Sequence, residues 1–111
     1  MSDFFGLISL GDKPIESGLL HKMQSSVSSW EPDYKHSISK PYVAIGQNSL
    51  RITPESFYEK LPQQFDDLIL AANARIDNRE ELIRELHITE AGIITDAMII
   101  IASYRKWGGD C

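Results

Sequence analysis

Cysteine is nearly absent from this chain, since Cys111 is the only one among 111 residues. A single thiol excludes a disulfide within the chain, and a protein without disulfides is typical of the reducing cytoplasm. The three histidines, His21, His36 and His87, lie far apart, and the sequence has neither a CxxC nor an HExxH pattern. We therefore expect a cytoplasmic protein with no metal site, whose histidines are ordinary surface or capping side chains.

Positive charge is also scarce, because Lys and Arg number 11 against 16 Asp and Glu, a formal net charge of −5. The absence of a basic stripe argues against nucleic acid or an anionic membrane as a partner. Long apolar runs are missing as well. Phe4–Leu10 is much shorter than the roughly 20 residues of a membrane-spanning helix, and no basic segment precedes it as in a signal peptide. What remains, 42% apolar and 24% charged, is ordinary globular composition.

The first fifty residues predict two strands around one helix. Phe4–Leu10 is crowded with aromatic and branched side chains, which favours a buried strand. Apolar residues then recur every four positions, the spacing of a helix face that Pro14 would open: Ile15, Leu19, Met23 and Val27. After an irregular segment at 30–40, Tyr42–Ile45 predicts a second strand, and we expect the chain to bend at Gly46.

The second half predicts a long buried strand and two helices. Apolar residues occupy both faces of Leu68–Ile76. Asn78, with an acidic residue three positions on, is typical of a helix start. Asp96 would cap a last helix that Gly108 stops, and we expect its apolar positions in the core: Ala97, Ile100, Ile101, Tyr104 and Trp107. This order of strands and helices predicts an α+β fold.

Six segments in a fixed order carry a family resemblance. MSDFFG matches a start of the form Met-Cys-Gly-Ile-Phe-Gly, and WEPD stands where that family has Arg-Gly-Pro-Asp. AIGQNSLRIT is similar to Leu-Ala-His-Glu-Arg-Leu-Ser-Ile, and NARIDN to Asn-Gly-Glu-Ile-Tyr-Asn. REELIREL matches the helix that follows, and TDAMIIIASYRKWGGDC a helix from Ser/Thr-Asp-Thr-Glu to Trp-Gly-x-Asp-Cys. The whole chain thus resembles the N-terminal part of a class II glutamine amidotransferase domain of the asparagine synthetase family.

The resemblance implies an N-terminal-nucleophile (Ntn) hydrolase fold, an αββα sandwich of two sheets between helix layers. Residues 1–111 would be its N-terminal portion, which we expect to be incomplete without later strands. In such domains residue 2 attacks glutamine, and its own α-amine, with a pKa of about 8, acts as the base. The ammonia passes to an ATP-dependent synthetase domain. We therefore expect ATP and Mg only in that absent domain, no cofactor in this chain, and two partners, the synthetase domain and a second copy.

The catalytic positions that the resemblance implies are partly altered. Ser2 stands at the nucleophile position, where the family has Cys, and a hydroxyl needs stronger activation than a thiol. Asn73 keeps the family residue at one oxyanion-hole position. Ala74 replaces Gly at the other, where its backbone N–H is retained but the space is tighter.

The glutamine-binding positions depart further from the family pattern. The Arg that pairs with the glutamine carboxylate falls near Asn48 or Ser49, neither of which makes a bidentate charged contact, and Arg51 lies two or three positions away. Arg75 replaces a Glu that helps to hold the substrate ammonium. Asp96 stands where the family has an acidic partner for that ammonium, and its alternative role is a helix N-cap.

Three functions stay open at this point. The first is a degenerate glutamine amidotransferase domain of an asparagine-synthetase-like, ATP-dependent amide-forming ligase, without glutaminase activity. Its nitrogen donor would be ammonia, as in asparagine biosynthesis, or an amine, as in the related lasso-peptide cyclases. The second is an active glutamine amidohydrolase with Ser2 as its nucleophile. The third is a non-catalytic docking or dimerisation module. A pyrophosphate-binding Ser-Gly-Gly-x-Asp-Ser stretch after residue 111 would favour the first.

Overall fold

The structure is a computed structural model, which describes residues 2–27, 30–51, 54–90 and 92–111. These residues form a mixed α+β protein with antiparallel sheets and three α-helices, so the predicted class is confirmed. They divide into two compact units: Met1–Ile52 with Lys60–Asn73, and Thr53–Glu59 with Ala74–Cys111. Within the described ranges, no helix is long and apolar enough to cross a membrane.

A three-stranded antiparallel sheet is the centre of the first unit. Its strands lie in the spatial order β1-β3-β2: β1 (Ser2–Ile8), β2 (Tyr34–Ser39) and β3 (Val43–Ser49). Ser49 of the central strand lies between Ser2 on one side and Tyr34 on the other. The predicted first strand is confirmed, although it begins and ends two residues earlier than the apolar run.

Helix α1 (Leu19–Val27) packs on one face of this sheet. Leu20 forms a buried cluster with Phe5 of β1 and Ala44 of β3, and Ile15 and Met23 pack against it. The predicted apolar face is therefore only partly right, because Met23 packs on the cluster whereas Leu19 and Val27 are 39% and 40% exposed, and the buried residue of α1 is Leu20.

The predicted helix start at Pro14 is wrong, because α1 begins at Leu19. The backbone N–H of Ile15 donates to the Pro41 carbonyl at 2.8 Å. This bond holds Ile15 as a non-helical residue beside the strand connection, so that its side chain reaches the core without belonging to the helix.

Two further predictions for the first unit are wrong. The segment 30–40, expected to be irregular, contains β2, and its polar side chains are compatible with a strand because β2 is an edge of the sheet. The chain does not bend at Gly46, since β3 runs through it to Ser49. A Cβ atom at Gly46 would lie 2.5 Å from two ring carbons of Phe5. Glycine is needed there to make room for the ring.

A short antiparallel hairpin completes the first unit: β4 (Gln63–Phe65) and β5 (Leu68–Leu70). The predicted strand Leu68–Ile76, buried on both faces, is wrong beyond Leu70. Because β4 has only three residues, it pairs with only three residues of β5. The alternation of apolar residues continues beyond Leu70 into chain that has no regular structure. Ala71 and Ala72 are half-buried, whereas positions 73–75 are exposed.

The second unit contains two of the α-helices and two short 3-10 helices: a 3-10 helix at Pro54–Tyr58, α2 (Arg79–Glu85), α3 (Asp96–Trp107) and a 3-10 turn at Gly108–Asp110. Both predicted α-helices are confirmed, as is the stop at Gly108, which has a φ of 62°. The expectation that Tyr104 and Trp107 belong to the core is wrong, because they are 45% and 36% exposed. Helix α3 buries its first half instead: Ala97, Ile99 and Ile101.

Candidate functional site

Ser2, the predicted nucleophile position, is the first residue of β1, half-buried and opposite Ser49. Opposed residues of an antiparallel pair project their side chains to the same face of the sheet. Side chains alternate along a strand, so Gln47 shares this face with Ser49. Phe5 packs against Leu20 of α1, and because it is three positions after Ser2 in β1, its side chain lies on the opposite face of the sheet. The Ser2–Ser49 pair therefore lies on the face of the sheet that α1 leaves uncovered.

Asn48 and Ser49, the two candidates for the carboxylate-binding position, lie on opposite faces of β3. Asn48 is 1% exposed and faces α1. The Gln24 side-chain amide donates to its Oδ1 at 3.1 Å, and its own Nδ2 donates to the Gln24 carbonyl at 3.2 Å. Asn48 thus joins β3 to α1, whereas Ser49 shares the face of Ser2. Of the two, Ser49 is the position that could face a ligand beside Ser2.

Gln47 is the residue of this face that sequence reasoning missed. Its side chain is 1% exposed and forms two hydrogen bonds with the backbone of one residue. Its amide nitrogen donates to the Ala72 carbonyl at 2.8 Å, and the Ala72 N–H donates to its Oε1 at 3.0 Å. The same nitrogen donates to the Ser49 Oγ at 3.2 Å. Local sequence offers no signal for Gln47, because the predicted strand ends at Ile45 and a bend is expected at Gly46.

The Gln47 amide fixes the chain immediately before Asn73, one of the predicted oxyanion-hole positions. A side-chain amide that both donates to and accepts from one residue reproduces the pattern of a strand neighbour. Asn73 itself is exposed, and it is the last residue of the first unit. The structure therefore brings Ser2, Ser49 and the approach to Asn73 to one face of the sheet.

A guanidinium also lies at this end of the first unit. The Arg51 guanidinium carbon is 4.4 Å from the ring centroid of Tyr34, which flanks Ser49 on the side away from Ser2. The Arg51 backbone N–H donates to the Asp33 Oδ2 at 2.9 Å, which holds the chain after β3 in place. A cation over an aromatic face is stabilised by the ring quadrupole. Arg51 is therefore oriented by Tyr34, two positions beyond Ser49.

Ala74 and Arg75, the next predicted positions, are both exposed in the second unit. The Arg75 Nε lies 3.0 Å from the Asp77 Oδ1, and the two side chains are 85% and 83% exposed. Such a pair is solvated and adds little stability. It nevertheless directs the guanidinium toward Asp77, its near neighbour.

Asp96, the predicted partner of a substrate ammonium, is bonded within the second unit. The Arg79 guanidinium donates to the Asp96 carboxylate and to the Ile94 carbonyl. The Ile76 N–H donates to the second carboxylate oxygen at 3.4 Å. The Arg79 and Asp96 side chains are only 27% and 21% exposed, so the pair is partly desolvated. The carboxylate thus already has a cationic partner, and Arg79 is a second residue that sequence reasoning missed.

The alternative role of Asp96 as the helix N-cap is wrong, because Thr95 is the N-cap of α3. The Thr95 Oγ1 accepts the Met98 N–H at 3.3 Å, and the Thr95 N–H donates to the Met98 Sδ at 3.5 Å. The Glu59 Oε1 accepts the Ala97 N–H at 3.0 Å, which satisfies another free donor of the first turn. Asp96 is the first helical residue and is left to bind Arg79. The expected side-chain cap of α2 is also missing, since Asn78 forms none.

The chemistry that these residues offer is that of hydroxyl and amide groups. A serine hydroxyl can attack a carbonyl when a nearby base accepts its proton. Across the described part of the chain, no group of three His, Cys, Asp or Glu side chains could hold a metal ion. No family model, no curated protein and no solved structure matches the chain.

Proposed function

We propose that this chain is a degenerate glutamine amidotransferase domain, of the Ntn-hydrolase type, of an asparagine-synthetase-like ligase. The parent protein would form an amide with ATP and Mg in a separate synthetase domain, in the cytoplasm. In this proposal the chain does not release ammonia from glutamine, and the nitrogen donor is ammonia or an amine that reaches the synthetase domain directly.

The observation that carries the proposal is the position of Ser2. A nucleophile that uses its own α-amine must be the N-terminal residue, and its side chain must face the substrate. Ser2 is the first residue of β1 and lies on the face that α1 leaves uncovered. On that face it is accompanied by Ser49 and by the chain that Gln47 fixes just before Asn73. This position of Ser2 supports an N-terminal-nucleophile site.

The side chains around the predicted glutamine pocket support the loss of hydrolysis. Asn48 is committed to α1, and Ser49 offers one hydroxyl where a carboxylate would need a bidentate cation. In the second unit, the Asp96 carboxylate is bonded to Arg79, so binding an ammonium there would require breaking a partly buried ion pair. The expected carboxylate-binding position in the first unit therefore carries no charge, and the expected ammonium-binding carboxylate in the second unit already has a cationic partner.

The test is a glutamine hydrolysis assay on the 111-residue protein with Met1 removed, as verified by mass spectrometry. We expect ammonia release no greater than that of the matched variant Ser2→Ala. We expect Ser2→Cys to be equally inactive, because a stronger nucleophile does not supply the missing carboxylate contact. Ammonia release above the Ser2→Ala level would refute the loss of hydrolysis.

One observation favours the second candidate function, a glutamine amidohydrolase that uses Ser2. Ser2 is half-buried and lies opposite Ser49, whose Oγ accepts a hydrogen bond from the Gln47 amide. The hydroxyl opposite Ser2 is therefore held in place. The same assay decides between the two, since the amidohydrolase requires activity that Ser2→Ala abolishes. The ligase part of the proposal is tested separately, by reading the coding sequence after codon 111 for Ser-Gly-Gly-x-Asp-Ser. Its absence from the parent gene would contradict a synthetase domain.

A further inference from the structure

We draw no further inference here: the strongest candidate, the partly buried cluster at the start of α3 in which Arg79 binds the Asp96 carboxylate and the Ile94 carbonyl, belongs to the site already described.

Discussion

Substitution of Gly46 by alanine tests how the first unit packs. Gly46 lies in the central strand β3, opposite Phe5 of β1, and both are buried. The added methyl group would lie 2.5 Å from Cε2 and Cζ of the Phe5 ring and 3.4 Å from its Cδ2. Carbon atoms in contact prefer roughly 3.5–4.0 Å, so the ring must move by about 1 Å. It moves against Leu20 and Ala44, with which it forms the buried cluster.

The cost follows from this overlap. Adding a methyl to a packed core and displacing a side chain typically costs 1–3 kcal/mol. Alanine also restricts the unfolded chain relative to glycine, which stabilises by about 0.4–1 kcal/mol and offsets part of the loss. We therefore expect Gly46→Ala to destabilise the protein by about 1–2 kcal/mol. This is a substantial share of the roughly 5–15 kcal/mol typical of a domain.

The assay is urea unfolding followed by far-ultraviolet circular dichroism. With a slope of about 2 kcal/mol per molar urea, the midpoint should fall by roughly 0.5–1 M. The control is Gly11→Ala, because a Cβ atom at Gly11 meets nothing within 4 Å. In a Phe5→Leu background, Gly46→Ala should cost less than in the wild type, since the clashing ring is gone. Equal midpoints for Gly46→Ala and Gly11→Ala would refute the claim that the Phe5 ring requires glycine.

Two remaining predictions concern the hydrogen bonds around the site, beside the hydrolysis outcome given above. Gln47→Leu should cost about 1–3 kcal/mol in urea unfolding, because it leaves the Ala72 N–H and C=O without their partner, and a neutral Gln47→Leu would contradict this role. Gln47→Glu should cost at least as much at neutral pH, because it places a buried carboxylate against the Ala72 carbonyl. Asp96→Asn should lower stability by about 1–2 kcal/mol, because it leaves Arg79 without its counter-charge in a partly buried site; a loss no larger than that of Arg75→Gln, which breaks the exposed pair with Asp77, would show that the Asp96 pair adds nothing.

The sequence predicted elements where a local pattern alone determines them. The first strand and the stop at Gly108 follow from residue type and spacing, and both are present. The face of α1 was predicted only in part, because Leu20 rather than Leu19 is its buried residue. Strand β2 was missed because an edge strand needs no apolar side chains, so its sequence resembles a loop. The strand predicted over Leu68–Ile76 was too long, because an apolar alternation does not show how many residues the partner strand has for pairing.

In the candidate site, too, some features were predictable from local sequence and others depend on contacts between distant residues. That Ser2 begins a strand was predictable from the apolar run after it, whereas its pairing with Ser49 depends on a register between strands forty residues apart. The choice between Asn48 and Ser49 could not be made from sequence, because adjacent residues of a strand face opposite sides. Thr95 rather than Asp96 is the N-cap of α3, and the Asp96 carboxylate binds Arg79 instead. This contact could not be predicted from local sequence, because it joins residues seventeen positions apart.

The two hydrogen bonds between the Gln47 amide and the Ala72 backbone have a consequence for how this protein can change in evolution. A strand that is hydrogen-bonded along its whole length must keep its number of residues and the alternation of its side chains, because each residue pairs with a fixed partner. Here one side chain sets the position of the chain at Ala72, and the residues up to Asn78 form neither helix nor strand. Insertions and deletions after Ala72 therefore leave the sheet unaltered. The position of Ala72 is kept as long as this glutamine remains.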